Sequence, residues 1–469
     1  MRGPGPQLLP LVPIPRGVAL LVAGALFMEI LDATIITPAI PLIAESFDVD
    51  PFDVNLAITA YLVTVAVLIP VSGWMSDRFG TRRVFISAIA LFTLASIGCA
   101  ASVSLPMLVA MRIVQGIGGA LMVPVGRLLV LRSTAKNDLV RAIALLTWPA
   151  LAAPVVAPIL GGAIATFGSW RWIFIANIPL GIIGFLLALK LIRDTDHARP
   201  GPLDWRGLTS LGIGIAAGLI ALEGIRVQGT NWAHVAIGGA VAAVALAGAV
   251  RHLLRYRCPL VELRVLRVPT LRITVSAGSL YRLVITAVPF LLPLQFQLVF
   301  GWTPIVAGTL VAALFVGNIA IKPFTTPLMR RYGIRRVLLA NGVLSIACFG
   351  LLATLTANTP VALIALVLFL SGALRSTGFT AYNTLAFADV EAAELAHANT
   401  LNAAVQELAA GVGIAIAAVL LGMFTPIAHG SGQAYPWTYL TLGFLIALTL
   451  VETVRLPRGA GDVVARRPT

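Results

Sequence analysis

Eight polar side chains interrupt stretches of sequence that are otherwise apolar. Glu29 and Asp32 stand three residues apart in the run 17–43, which puts them on one face of a helix. Arg112 and Gln115 repeat that spacing within 106–130. Arg282 lies in 271–299, Arg375 in 360–388, and Gln406 with Glu407 in 397–424. At ~1.5 Å per residue, all of them fall roughly 15–25 Å from one end of their helices, in a single layer. A charge at the centre of a bilayer costs about 2.5–3.5 kcal/mol, so such residues face a water-filled cavity and work there. Three acids and three bases leave the layer near neutrality, where one proton or one charged ligand tips it. None of His197, His234, His252, His397 and His429 falls in the middle of a run. The group that takes up and releases a proton must therefore be a carboxylate: Asp32, Glu29 or Glu407. Arg112 near Glu29 and Asp32 would let a proton be traded for a charged ligand. The competing reading makes each acid a permanently paired structural group and Arg112 a helix-packing donor.

The elements that place these groups follow from the composition. Of 469 residues, 59% are hydrophobic and 11% charged, and the mean hydropathy is +0.96. A soluble domain is roughly 45–50% apolar and 25% charged, so a bilayer has to solvate this chain. Open sheet is excluded because lipid cannot satisfy its edge groups. Runs of spanning length occur at 17–43, 54–74, 84–103, 106–130, 139–166 and 171–192, then at 206–226 and 234–254. A last group follows at 271–299, 304–328, 336–356, 360–388, 397–424 and 435–455. The expected fold is an all-α polytopic membrane protein of fourteen helices. Basic residues gather after even-numbered runs, as in Arg78, Arg82 and Arg83, or Arg330, Arg331, Arg335 and Arg336. The positive-inside rule then puts both termini in the cytoplasm. The net charge of +14 is thereby a topology signal, and nucleic-acid binding is not expected. Cys99, Cys258 and Cys348 are scattered and odd in number, which indicates neither a disulfide framework nor a metal site.

One basic loop recurs. "SDRFGTRRV" at 76–84 aligns with "MRRYGIRRV" at 329–337, an offset of 253 residues. A duplicated six-helix unit with two inserted helices explains the offset. The expected organisation is a cytoplasmic tail 1–16, a six-helix half 17–192, a linker 193–257 with two extra helices, a second half 258–455 and a tail 456–469. Parallel halves of this kind bind substrate between them near the midplane. The first copy extends to "GWMSDRFGTRR" at 73–83. There Gly73 lets helices approach, Gly80 supplies a positive φ, and Asp77 can pair with Arg78, Arg82 and Arg83. This reads as a gate whose charge partners change as the halves rock; the plainer alternative is an orientation-fixing loop. In the second copy Arg330 stands where Asp77 stands, so a latch there lacks its acid.

The spacing G-x-x-x-D-R-x-G-x-R-R resembles the signature between helices 2 and 3 of the major facilitator superfamily. "ILDATIITPAIP" at 30–41, "RIVQGIGGALMVP" at 112–124 and "WRWIFIANIPLG" at 170–181 are similar to motifs of its fourteen-helix drug:proton antiporter branch. The resemblance covers nearly the whole chain. It departs in helix 5, where G-x-x-x-G-P-x-x-G-G reads "APVVAPILGG" at 153–162. Ala153 and Ala157 replace the leading glycines, while Pro158, Gly161 and Gly162 stand and Pro154 fills an open position of the motif; alanine is still small enough for close helix contact.

The resemblance implies a proton-coupled efflux transporter for amphipathic small molecules. It would work as a monomer by alternating access in the bacterial inner membrane, with protons, substrate and lipid as partners and no cofactor or metal. Asp32 matches the motif acid and Arg112 the motif arginine. The first and fourth helices of each half would line the cavity. Arg282 and Arg375 then put two guanidinium groups in the second half, which suit carboxylates or phosphates. Export of an organic anion such as a carboxylate metabolite is the alternative. An enzyme is not expected, since the sequence has no nucleophile–base pair, no His/Cys metal spacing and no glycine-rich phosphate loop.

Overall fold

The computed structural model describes residues 16–133, 139–192, 201–225, 230, 232–391, 394–427 and 431–456. Apart from their inner ends, the expected tails lie outside the described residues. Among the described residues the chain is helical, with no strand. The first six long helices are α1 (Arg16–Ile35), α2 (Asn55–Phe79), α3 (Thr81–Ala100), α4 (Leu105–Ser133), α5 (Leu139–Phe167) and α6 (Asn177–Leu191). An intervening pair, α7 (Trp205–Glu223) and α8 (Trp232–Arg255), leads to α9 (Ser279–Leu294), α10 (Pro304–Ala320) and α11 (Ile334–Ala353). The chain closes with α12 (Val361–Ala388), α13 (Leu395–Ile427) and α14 (Ser431–Val454). Among the described residues, twelve spans are long and apolar enough to cross a membrane, or thirteen when α10 and its continuation Lys322–Tyr332, bent by 47°, count as one. The remaining expected span, 139–166, forms α5, whose described apolar stretch Ala152–Phe167 is shorter. The bend after α10 comes where Pro323 follows Lys322, because proline cannot donate to the preceding turn.

The duplicated loop repeats in backbone detail. Gly80 has φ 88° and ψ 138°, and Gly333 has φ 81° and ψ 150°, a conformation that penalises any Cβ. Each ends one helix and begins the next. Arg82 Nη2 donates to the Leu189 carbonyl at the end of α6, 3.1 Å away. Arg335 Nη2, 253 positions later, donates to the Val454 carbonyl at the end of α14, 2.7 Å away. Each guanidinium thus satisfies a carbonyl in the last turn of a helix, groups that have no partner within their own helix.

The two sets of helices, α1–α6 and α9–α14, meet at the face opposite the basic loops. There Leu31, Ile35, Ile40 and Trp170 share one apolar core with Phe290, Phe296 and Leu310. Gln297 Nε2 donates to the Pro38 carbonyl at 3.0 Å, and Ile305 N to Thr166 Oγ1 at 3.1 Å. Helix α5 crosses α10 so closely that a Cβ at Gly308 would collide with the Pro158 carbonyl, and one at Gly162 with that of Pro304. Toward the basic loops, Val22, Leu26, Phe85, Ile89 and Val125 form a separate core built from α1–α6 alone. The molecule is therefore sealed at one face and parted at the other. A Cβ at Gly73 would meet no atom within 4 Å. The close helix approach expected at Gly73 is therefore not seen. Gly308→Leu is expected to pry α5 from α10, at a cost of about 1–3 kcal/mol from overpacking. A cysteine at Ile305 should then react faster with a membrane-impermeant maleimide added from the sealed face.

The inserted pair α7–α8 packs mainly on itself and is anchored at its basic-loop end by Asp204. This carboxylate is 4% exposed and caps α7. Its Oδ1 accepts from Gly207 N at 2.9 Å and lies 2.7 Å from His252 Nε2 of α8, while Oδ2 accepts from Leu260 N at 3.1 Å. Burial alone would raise its pKa, but the Gly207 amide, the His252 ring and the Leu260 amide together hold it below the ordinary carboxylate value. A folded-state value below the unfolded one adds stability at neutral pH that is lost as pH falls, here below about pH 4. Asp204→Asn should lower the neutral-pH melting temperature and flatten that acid limb, with a loss of about 1.5–3 kcal/mol. Thermal melts from pH 3 to 7 read both effects.

Candidate functional site

Asp32 lies in the last turn of α1, and four other helices contribute to the cluster around it. Its Oδ2 accepts from Arg112 Nη1 of α4 at 2.5 Å. Its Oδ1 accepts from Gln115 Nε2 at 2.9 Å and from Asn177 Nδ2 of α6 at 2.6 Å. Gln115 Nε2 also donates to Ser96 Oγ of α3 at 2.9 Å, and Gln115 Oε1 accepts from Arg112 Nη1 at 2.6 Å. The Arg112 guanidinium sits 4.3 Å over the Tyr61 ring of α2. Asp32, Ser96, Arg112, Gln115 and Asn177 are all 0% exposed. Asp32, Arg112 and Gln115 are thus enclosed within α1–α6 in this state and do not face open water, as the sequence reading had them do. The reason is compensation: a buried carboxylate is tolerated when a cation and further donors satisfy it, and here Arg112, Gln115 and Asn177 do so.

Glu29, one turn earlier on α1, is placed differently. It is half-buried, and the missing side chain at Gly119 leaves room for both its carboxylate and the Tyr61 hydroxyl. Glu407 of α13 lies close enough to act on it electrostatically, as do Arg127 of α4 and Asp32. Glu407 is half-buried and Arg127 exposed, so this group borders the gap between the two sets of helices. Gln406 beside it is buried, and its Oε1 has no partner among the described residues.

In the second set, Arg282 of α9 lies 4.9 Å over the Phe379 ring, and Arg375 of α12 lies 5.4 Å over Phe315. Beside them, Tyr281 Oη donates to the Leu374 carbonyl at 2.9 Å and accepts from Asn341 Nδ2 at 3.0 Å. The stretch 73–83 sits apart from these groups, at the basic-loop end of α2, with Asp77 half-buried and Arg78 and Arg83 exposed. Pro154 and Pro158 lie on α5, where Gly161 and Gly162 face α1 and α10. Four contributors escape a sequence reading: Tyr61, Ser96, Asn177 and Arg127. Two of them had a signal that could have found them: Asn177 is the one amide in an apolar motif, and Arg127 a second charge within 106–130. Tyr61 and Ser96 carry no signal of their own. Among the described residues no group of His, Cys, Asp or Glu could hold a metal.

Comparison with known proteins now bears on this geometry. The Major Facilitator Superfamily model matches residues 22–410 and again 274–462. The "Putative multidrug resistance protein MdtD" of Pectobacterium carotovorum subsp. carotovorum (strain PC1) is 35% identical over 442 residues, 93% of this chain and 95% of that one. The protein of the same name from Escherichia coli O45:K1 (strain S88 / ExPEC) is 35% identical over 454 residues, 95% of each. Among solved structures, a bacterial homolog to the human lysosomal transporter Spinster matches with a TM-score of 0.68 and 13% identity, covering 97% of this chain and 99% of that one. A D-xylose-proton symporter matches with a TM-score of 0.65 and 15% identity, covering 96% and 99%. Those two likenesses concern the fold alone. With matches across nearly its whole length, this chain belongs to the major facilitator superfamily: it is a multi-pass membrane transporter and not an enzyme.

Proposed function

We propose that this transporter is a proton-coupled exporter of amphipathic small molecules, working as a monomer by alternating access in the bacterial inner membrane. Its basic loops and both termini face the cytoplasm, and residues 17–192 and 258–455 act as the two rocking halves around the linker 193–257. One observation carries the reading: two carboxylates from opposite sets of helices, Glu29 and Glu407, lie within electrostatic reach across the gap. The name carried by the curated relatives supports the choice of substrate class.

With both carboxylates ionised, α1 and α13 repel each other and the cytoplasmic side stays open. A proton on either acid removes the repulsion. A cationic or hydrogen-bond-donating group of the substrate does the same by replacing the proton. The ionised empty site therefore favours the inward state, and the protonated or loaded site can close and reopen outward. Outside, the higher proton concentration displaces the substrate. Asp32 and Arg112 hold α1 against α4 during this change. A membrane potential of 100 mV supplies about 2.3 kcal/mol per charge moved. Proteoliposomes with an imposed pH gradient test the scheme: an uncoupler should abolish uphill transport of tetraphenylphosphonium, and persistence of that transport would sink it.

A further inference from the structure

Arg282 and Arg375 carry no built-in counter-ion. Arg282 stands 253 positions after Glu29, the offset that relates Gly333 to Gly80, so the second set presents a base where the first presents an acid. By the same offset, Ile285, 5% exposed, replaces Asp32, the residue that neutralises Arg112 in the first set. Among the described residues neither arginine is in an ion pair. Arg282 Nε and Arg375 Nη1 are buried donors with no partner, and the two guanidinium groups repel each other. Both side chains are only half-buried, so each keeps accessible surface. Arg375 also borders a small cleft lined by Tyr281, Ser345, Ser371, Leu314 and Phe349. Two unmatched cations in a low-dielectric wall are costly until an anion arrives, and a guanidinium fork suits a carboxylate, sulfonate or phosphate.

We propose that Arg282 and Arg375 form a subsite for the anionic group of the exported molecule, whose apolar body packs on Phe379, the partly exposed ring beside Arg282. This rests on the exporter reading and extends its substrate class to amphipathic molecules that carry an anionic group, alongside the cations drawn to Glu29.

The test uses the full-length protein in lipid nanodiscs, with 4-phenylbutanoate, its neutral amide and tetraphenylphosphonium as probes in calorimetric titrations and thermal melts. The carboxylate should bind and the amide should not. Arg282→Gln and Arg375→Gln should each weaken carboxylate binding by about tenfold or more, with tetraphenylphosphonium changed less than twofold. Without ligand, Arg375→Gln should melt no lower than the parent, because it removes an unmatched charge; a packing arginine would melt lower. Arg375→Lys keeps the charge and should retain part of the binding. Equal binding of the amide, unchanged carboxylate binding in both glutamine variants, or a lowered ligand-free melt would overturn the subsite. Carboxylate binding that persists in a protein unable to transport against a gradient would leave the subsite standing and defeat only the exporter reading.

Discussion

Glu29→Gln is expected to yield a folded protein that no longer concentrates its substrate yet still exchanges it down a gradient. Glutamine keeps the size and hydrogen-bonding reach of the carboxylate but cannot take up a proton. The repulsion between Glu29 and Glu407 is then permanently absent, as if the site were always protonated, and the conformational change loses its link to the proton gradient. At 100 mV each coupled charge is worth about 2.3 kcal/mol, roughly a fiftyfold concentration ratio, and that ratio should collapse toward one. Counterflow of labelled against unlabelled tetraphenylphosphonium in proteoliposomes should persist. Glu407→Gln should follow the same pattern, since the partners act as a pair. Uphill transport at parental levels in both variants would remove the acids from the coupling scheme.

Arg112→Ala is expected to be the most damaging substitution for stability. It strands the Asp32 carboxylate, 0% exposed, with Gln115 and Asn177 as its remaining donors. Removing one partner of a buried ion pair typically costs about 3–5 kcal/mol. It also empties the space over the Tyr61 ring that the guanidinium fills. Combining Arg112→Ala with Asp32→Asn should recover much of the loss, because the stranded charge is gone. Asn177→Ala, which deletes one hydrogen bond, should cost about 1.5–3 kcal/mol. Thermal unfolding of the purified variants reads all three. A melting temperature for Arg112→Ala close to the parent would mean that the pair is not holding α1 to α4.

Much of this fold was legible because lipid imposes one rule: an apolar run of spanning length must be a helix. Gly80 and Gly333 were legible as a repeated turn for an equally local reason, since both need the same positive φ. The bend at Lys322 and the short described stretch of α5 were less so, because hydropathy reports composition and not straightness. At the site, sequence spacing placed Glu29 and Asp32 on one face, and both lie on α1 as expected. It could not separate their roles. One turn along the helix is the difference between an acid enclosed by Arg112, Gln115 and Asn177 and an acid at the edge of the gap. That distinction depends on α3 and α6, whose Ser96 and Asn177 come from runs that look merely apolar. Likewise, the missing counter-ion at Arg282 and Arg375 is a property of neighbours, Ile285 among them, and emerges once the two sets are compared in space.

In this scheme substrate and proton compete for Glu29. A count of protons released when tetraphenylphosphonium is added to the purified protein in weakly buffered solution, read with a pH-sensitive dye, tests that competition. Release should rise as the starting pH is lowered toward the range where the site is protonated, and should be absent in Glu29→Gln. Saturable binding without release at any pH, or equal release from Glu29→Gln, would contradict it.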